Sequence, residues 1–336
     1  MPLQTLPVIL LTSSFPSGLL DKIDPSVVVM GPSGQPVGAN LSANEAAAVR
    51  VLVTMGAMKI DGVAMDGLPN LGLICCYGSG YEGVDLQEAV KRGIMVTYSP
   101  AANSSAVADL AMALLLAANR RIVMADKFVR DGLWHGHAAA RMPVVRGLTG
   151  RRIGIFGFGA IGAKIAARAA AFETEVAYHS RSRKSGVPYA FHETLQGLAD
   201  WADILMIAVR ADASTRHLVN ANVMKALGPE GILVNISRGS VIDEQAMIAL
   251  LQFGELGSVG LDVYEHEPLV PESLKAIPRV VLAPHIGGDT FEAHEARQSL
   301  VAANIEAFLA GKPVLTPIPE MGVNTKGTRV SCAAHQ

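Results

Sequence analysis

Short apolar, β-branched runs alternate with helically patterned stretches along nearly the whole chain, and that alternation admits few folds. Strands separated by helices cannot pair as hairpins; they return through crossovers and lie parallel, with the helices covering the sheet faces. The first series reads as strands at 7–11, 26–30, 50–54, 71–76 and 94–97. A long apolar helical pattern follows over about 104–120, then a less regular arm over 121–150 that carries Gly132, Trp134, Gly136, Pro143, Gly147 and several arginines. Such an arm is too long for an ordinary connection inside a compact domain. A second series, near 152–156, 175–179, 203–209, 231–236, 258–263 and 279–283, predicts a doubly wound α/β domain. The stretch from Phe291 to Gly311 reads as one helix stopped by that glycine, with Pro313 just beyond. From Met321 onward the chain is polar and aperiodic, and a disordered tail is expected.

At 336 residues and 50% hydrophobic content the chain has the apolar mass for two cores. A formal net charge of -2 with 17% charged residues excludes a broad field for nucleic acid or an anionic membrane. Cys75, Cys76 and Cys332 form no even disulfide framework, so a reducing, cytoplasmic setting is expected. The N-terminal MPLQTLPVILLTSS lacks basic residues ahead of its apolar run and fits a first strand rather than a signal peptide. The apolar stretch around 106–118 contains Asp109 and is too short to span a bilayer. No His, Cys and carboxylate cluster stands at ligand spacing, so no metal is expected.

Between the strand at 152–156 and an amphipathic helix lies Gly157-Phe158-Gly159-Ala160-Ile161-Gly162. The spacing alone is weak, but a strand before it and a helix after it are what a dinucleotide loop needs. Gly157 turns the chain, Gly159 lets backbone approach a pyrophosphate, Gly162 permits close helix packing, and the helix amino end supplies amide donors. A tight turn without a ligand is the bland alternative. The next strand ends at His179, where an NAD-binding protein usually carries an acid for the ribose hydroxyls, and Ser180-Arg181-Ser182-Arg183-Lys184 follows. With no carboxylate to repel a phosphate and arginines to grip one, NADPH is expected to be preferred, with NADH also accepted. A solvated cationic face would give the same residues.

GILVNIS ends at Arg238, SVGLDVY runs out into Glu267, and VVLAP ends at His285. Ligands of open α/β sheets bind beyond the carboxyl ends of the strands, so these side chains form one candidate site. Reducing a 2-keto acid needs a cation for the carboxylate and carbonyl, an acid for the developing alkoxide, and a hydride donor held in line. Arg238 suits the first role and His285 the second, with Glu267 favouring the imidazolium. Singly, each has a plain alternative: a loop arginine ahead of a helix capped by Asp243, a turn glutamate before Pro268, a histidine at a strand end. Upstream, Gly78-Ser79-Gly80 follows a strand and presents backbone amides suited to a carboxylate, or forms a simple turn.

At these residues the chain resembles the D-isomer-specific 2-hydroxyacid dehydrogenase family from about residue 45 to 319, through YGSGYEGVDL, GIFGFGAIG, NISRGSVIDE, GLDVYEHEP and APHIGG in family order. Within it, YHSRSRK and the closing GKPVLTPIP look most like the NADPH-dependent glyoxylate/hydroxypyruvate reductases. The resemblance implies two Rossmann-like or flavodoxin-like parallel-sheet domains with the active site in the cleft between them. The substrate domain would take residues 1–99 and 289–320, the cofactor domain 100–288 with the arm. It implies that Arg238, Glu267 and His285 are catalytic, that Asp262 holds the nicotinamide carboxamide, and that Met55, Gly78, Ser79 and Gly80 bind substrate, the last two through their amides. Ser180, Arg181, Ser182, Arg183, Ala208, Val209, Thr215, Ile236, Ser237 and Gly287 would join the glycine loop around the cofactor. A homodimer through the cofactor domain is implied, with Trp134, Arg141 and Met142 of the arm reaching a partner's active site; packing of the arm on its own subunit is the plain alternative. The implied activity is reduction of glyoxylate or hydroxypyruvate to glycolate or D-glycerate. Reduction of hydroxyphenylpyruvate or 2-ketogluconate is the near alternative, and a nucleotide-sensing co-repressor-like scaffold the alternative of another class.

Overall fold

In the computed structural model, which describes residues 6–135 and 142–322, strands β1 (Val8–Leu11), β2 (Val28–Met30), β3 (Val49–Thr54), β4 (Leu73–Cys76) and β5 (Met95–Thr97) form a parallel sheet in the order β2-β1-β3-β4-β5. Successive residues feed opposite faces, as a pleated strand requires. Val8, Leu10, Leu52 and Ile74 enter one core; Ile9, Leu11, Val51, Val53 and Leu73 enter the other. Both faces are therefore covered, which explains why these strands read as unbroken apolar runs.

The helix Phe291–Leu309 completes this unit from the far end of the chain by placing Val301 and Ile305 against Ile9, Leu73 and Tyr77. The Thr290 hydroxyl caps it by accepting from the Ala293 amide, and Gly311 ends it at φ 67°. Asn304 Oδ1 then accepts from the Leu315 and Thr316 amides at 2.8 and 3.1 Å, fixing the segment that returns to Tyr98. The first compact unit comprises Met1–Asn103 and Thr290–Gln336.

The second unit, Ser104–Asp289, carries β6 (Arg152–Phe156), β7 (Glu175–His179), β8 (Ala190–Phe191), β9 (Ile204–Ile207), β10 (Ile232–Asn235), β11 (Ser258–Leu261) and β12 (Val280–Leu282) in the order β12-β11-β10-β9-β6-β7-β8. Every ladder is parallel, and the strand order reverses direction at β6 and β9, the switch point where open α/β sheets bind ligands. The helix Ser104–Arg120 buries Leu115 and Ala111 on one face, and Gly260 in β11 lets it approach, since a Cβ there would lie 2.9 Å from Leu114 Cβ. Helices Leu195–Trp201, Ala221–Leu227 and Glu244–Phe253 cover the other face with Leu198, Met224 and Leu251.

The doubly wound sheets and the 104–120 helix match the sequence reading. The arm departs from it, because Ile122–Arg130 is helical rather than irregular. Its amino end has no capping side chain, Arg121 sits at φ 54°, and Ile122, Val123 and Val129 are exposed, so neither a cap nor a buried stripe announced it. Arg141 and nearly all of the tail expected after Met321 lie outside the described residues. The two-residue strand β8 was not anticipated, and the unit boundaries fall at Asn103/Ser104 and Asp289/Thr290 rather than after 99 and 288. Among the described residues, no helix is long and apolar enough to cross a membrane and no cluster of His, Cys, Asp or Glu is placed to hold a metal.

Candidate active site

β6 runs into Gly157 at φ 98°, where a Cβ would lie 2.5 Å from the Val209 nitrogen. At Gly162 a Cβ would lie 2.1 Å from the Gly157 oxygen. Packing of the loop on itself and on Ala208–Val209 thus demands these glycines. Gly159 differs: a Cβ there would meet nothing within 4 Å. Its missing side chain leaves open space at the amino end of the helix Ala160–Ala170, which fits a pyrophosphate against the unpaired amides of a first helical turn. Phe158 is buried on Tyr178, with ring centroids 4.2 Å apart, and Ile161 packs into the same core.

At the end of β7, His179 Nδ1 donates to the His192 carbonyl at 2.9 Å, and the imidazole stacks on Phe156 and Phe191. Ser180 Oγ donates to the Ser182 carbonyl and the Lys184 amide donates to Tyr178 Oη, both at 2.8 Å, so a tied turn carries exposed Arg181, Ser182 and Arg183. The facing loop adds residues that sequence reasoning did not single out. Burial opposes it, but hydrogen bonds from Ser214, the largest influence, hold the Asp212 carboxyl below its ordinary range, and the charges of Arg210 and Arg181 act in the same direction. Thr215 is absorbed into the loop itself: its Oγ1 donates to the Asp212 carbonyl at 3.0 Å and accepts from the Asp212 amide at 2.8 Å.

Beyond β10, Asn235 builds the turn that carries Arg238. Its Oδ1 accepts from the Ser237 amide and its Nδ2 donates to the Arg238 carbonyl, while Ser237 Oγ donates to the Val209 carbonyl. Ile236 is buried beside them. Asp243 caps the following helix by accepting from the Ala246 amide at 3.0 Å. Beyond β11, Tyr264 Oη donates to the Ala283 carbonyl at 2.8 Å and the Tyr264 amide donates to Glu267 Oε1 at 3.0 Å. The other carboxylate oxygen, Glu267 Oε2, meets His285 Nδ1 at 2.6 Å.

A carboxylate only accepts, so His285 Nδ1 carries a hydrogen and Nε2 is the nitrogen that exchanges a proton. The hydrogen bond to Glu267 raises the His285 pKa above its ordinary value, against burial and the charge of Arg238. Burial pushes the Glu267 carboxyl up, but the bonds from His285 and the Tyr264 amide, with the charges of His285 and Arg238, outweigh it and hold it low. The two side chains are 44% and 33% exposed, so water screens the pair and its value lies in holding a proton rather than in stability. Arg238 thus acts electrostatically on both partners, and the three strand-end residues form one charged group. Asp262 is buried behind them, and an apolar cavity of about 350 Å³ lined by Tyr264, Pro268, Val270, Leu282, Pro284 and His285 lies beside the pair.

In the first unit, Met55 and the turn Gly78-Ser79-Gly80 follow the adjacent strands β3 and β4, with the Ser99 amide bonded to the Gly78 carbonyl at 2.9 Å. Gly56 packs against this turn, since a Cβ there would lie 1.8 Å from the Gly80 oxygen. Trp134 of the arm is 74% exposed.

The model of the D-isomer specific 2-hydroxyacid dehydrogenase, NAD binding domain, matches residues 112–287. Hydroxyphenylpyruvate reductase of Plectranthus scutellarioides is 39% identical over 284 residues, covering 84% of this chain and 90% of that protein. Glyoxylate/hydroxypyruvate reductase A of Arabidopsis thaliana is 40% identical over 270 residues, or 80% of this chain and 85% of the relative. The crystal structure of the NADPH-dependent glyoxylate/hydroxypyruvate reductase of Sinorhizobium meliloti in complex with NADP and malonate superposes with a TM-score of 0.87 at 36% identity, covering 94% of this chain and 97% of that one. A sheet with its switch point at a glycine loop, a histidine paired to a glutamate, and matches of this extent have one common explanation: the chain belongs to the D-isomer-specific 2-hydroxyacid dehydrogenase family, NAD(P)-dependent oxidoreductases of 2-keto and D-2-hydroxy acids.

Proposed function

We propose that this chain reduces a small 2-keto acid, glyoxylate or hydroxypyruvate, at the expense of NADPH, giving glycolate or D-glycerate. The observation that carries the reading is the 2.6 Å bond between Glu267 and His285 Nδ1, which keeps an acidic proton on Nε2. When bound, the nicotinamide supplies the hydride. Arg238 holds the substrate carboxylate and polarises the keto oxygen, and His285 delivers its Nε2 proton to that oxygen as charge develops there. Glu267 stabilises the imidazolium until transfer. Met55, Gly78, Ser79 and Gly80 belong to the substrate side of this proposal.

NADPH is favoured over NADH because His179 replaces an acid while Arg181 and Arg183 are exposed on the following turn. The S. meliloti relative, described as NADPH-dependent, supports the same preference. NADH remains a weaker donor in this reading. An aromatic 2-keto acid is the second substrate class, favoured by the 39% identity to a hydroxyphenylpyruvate reductase and by the apolar cavity beside His285. We assign a homodimer formed through the arm, whose helix exposes Ile122, Val123 and Val129. The reading places the enzyme in a reducing cytoplasm, in keeping with the unpaired, buried thiols of Cys75 and Cys76.

The test is oxidation of NADPH and NADH, followed by absorbance, with glyoxylate, hydroxypyruvate, hydroxyphenylpyruvate and 2-ketogluconate. Fast NADPH-dependent turnover of the first two is expected. Preference for the third moves the assignment to the aromatic class, and cofactor binding without turnover of any acid moves it to a nucleotide-sensing scaffold.

A further inference from the structure

Glu265 stands two residues before Glu267, yet its carboxylate turns to another loop. Its side chain is only 12% exposed, and Oε1 accepts from Arg216 Nη2 at 2.8 Å and from His217 Nε2 at 2.9 Å. His217 is held in the left-handed region at φ 51°, and its amide donates to the Ser240 carbonyl at 2.9 Å, on the turn that begins at Arg238. A second tie runs the other way, because the Glu265 amide donates to Oε2 of buried Glu244 at 3.3 Å, in the first turn of the helix after that same loop. Between these ties the backbones touch: a Cβ at Gly239 would lie 1.9 Å from the Tyr264 carbonyl carbon and 2.2 Å from the Glu265 nitrogen. The loops after β9, β10 and β11 are therefore tied together around Glu265, the first through its carboxylate and the second through its amide and the close backbone contact.

We propose that Glu265, through His217 and Arg216, is a positioning residue that sets the Arg238 turn against the Glu267 turn. This inference rests on the reading that Arg238 and Glu267 serve the reaction. Neither Glu265 nor His217 touches substrate; each acts through the loop that carries Arg238. A left-handed, non-glycine residue persists only where its surroundings over-determine it, and the bonds at both the amide and the ring of His217 do so. Small displacements of a substrate-holding group are costly to rate, so a strut between the two turns affects turnover more than it affects the fold.

The experiment is a double-mutant cycle of Glu265→Ala with Arg238→Ala, read as kcat and KM for the keto acid, with NADPH binding by fluorescence titration and melting temperature alongside. Glu265→Ala is expected to lower kcat/KM about tenfold or more with NADPH affinity retained, a loss of the size that misplacement produces. In the Arg238→Ala background the same change is expected to add less than about twofold, the limit for a residue acting through its partner. Glu265→Gln, which keeps the accepting oxygen, should recover most of the loss. A full tenfold loss persisting in the Arg238→Ala background, or no loss with Arg238 intact, overturns the proposal. Near-normal turnover in Arg238→Ala alone overturns instead the assignment of the reaction to Arg238. If Glu265→Ala does not fold, His217→Asn, which removes one arm of the bridge, passes through the same cycle and is judged by the same criterion.

Discussion

Asp262 Oδ2 accepts from the Gly287 amide at 2.8 Å, so a carboxylate at the end of one strand fixes the loop that follows its neighbour. Oδ1 accepts from the Ile286 amide at the same distance, and His285, the next residue back, sits in the left-handed region at φ 56°. Burial holds the Asp262 pKa above the ordinary carboxylate value, and the two amides offset only part of that rise. The carboxylate expected to serve a nicotinamide thus also holds the backbone that directly follows the residue expected to give the proton. Asp262→Ala leaves the buried Gly287 amide unpaired, a cost of about 1–3 kcal/mol. The melting temperature should fall by several degrees and kcat should drop, measured by calorimetry and steady-state rates. Unchanged kcat in a folded variant would dissociate Asp262 from His285.

The Glu267–His285 bond fixes the pH behaviour. His285 has a raised folded pKa, so its stabilising contribution is complete below the ordinary histidine value and is lost as pH rises through the raised one. Glu267 has a lowered pKa, so its contribution is present above the ordinary carboxylate value and is lost as pH falls through the lowered one. In the proposed reaction reduction needs the Nε2 proton, so it is expected to decline on the alkaline side, through the raised His285 value. Glu267→Gln removes the carboxylate that accepts the His285 hydrogen bond, which is the largest cause of the rise. Its alkaline limb should move down toward about 6.5, the unperturbed histidine value, in profiles of kcat/KM against pH. A limb that stays in place would mean that another group supplies the proton.

The glycines of the nucleotide loop separate packing from binding. Gly159→Ala adds a methyl into space where no protein atom lies within 4 Å, so the fold should be retained. Gly157→Ala forces φ 98° on a residue with a Cβ and drives it to 2.5 Å from backbone. We expect Gly159→Ala to keep its melting temperature while losing NADPH affinity, and Gly157→Ala to lose both. Tight NADPH binding by Gly159→Ala would show that the open space is not the pyrophosphate cradle.

How much of this was legible follows from what signals are local. Strand alternation, the glycine spacing and the polar residues at strand ends are written in neighbouring residues, so β6 into Gly157 and β12 into His285 could be read directly. The helix Ile122–Arg130 was missed because its cap is absent and its apolar side chains face outward. Glu265 and His217 were missed for a different reason: they matter through each other, across two loops 48 positions apart, and a single sequence carries no trace of that contact. Asp212, by contrast, is held by Ser214 two positions on, a local turn signal that went unread. Asp262 was singled out only for a ligand, since its grip on Gly287 spans 25 positions.

The cations after β7 give the last test. Arg181 and Arg183 are exposed on a turn tied by Ser180 and Tyr178, and the charge of Arg181 reaches Asp212 on the facing loop. An acid close to an arginine competes with a phosphate for it, so the proposed preference for NADPH depends on the arginines outweighing Asp212. A charged hydrogen bond contributes roughly 1.5–3 kcal/mol, and solvent exposure argues for the lower end. Arg181→Ala should therefore raise KM for NADPH about tenfold and leave KM for NADH nearly unchanged. Asp212→Asn should act in the opposite direction, lowering KM for NADPH, and both effects should shrink as salt is added. Equal losses for NADPH and NADH in Arg181→Ala would mean that this turn shapes the site without reading the phosphate.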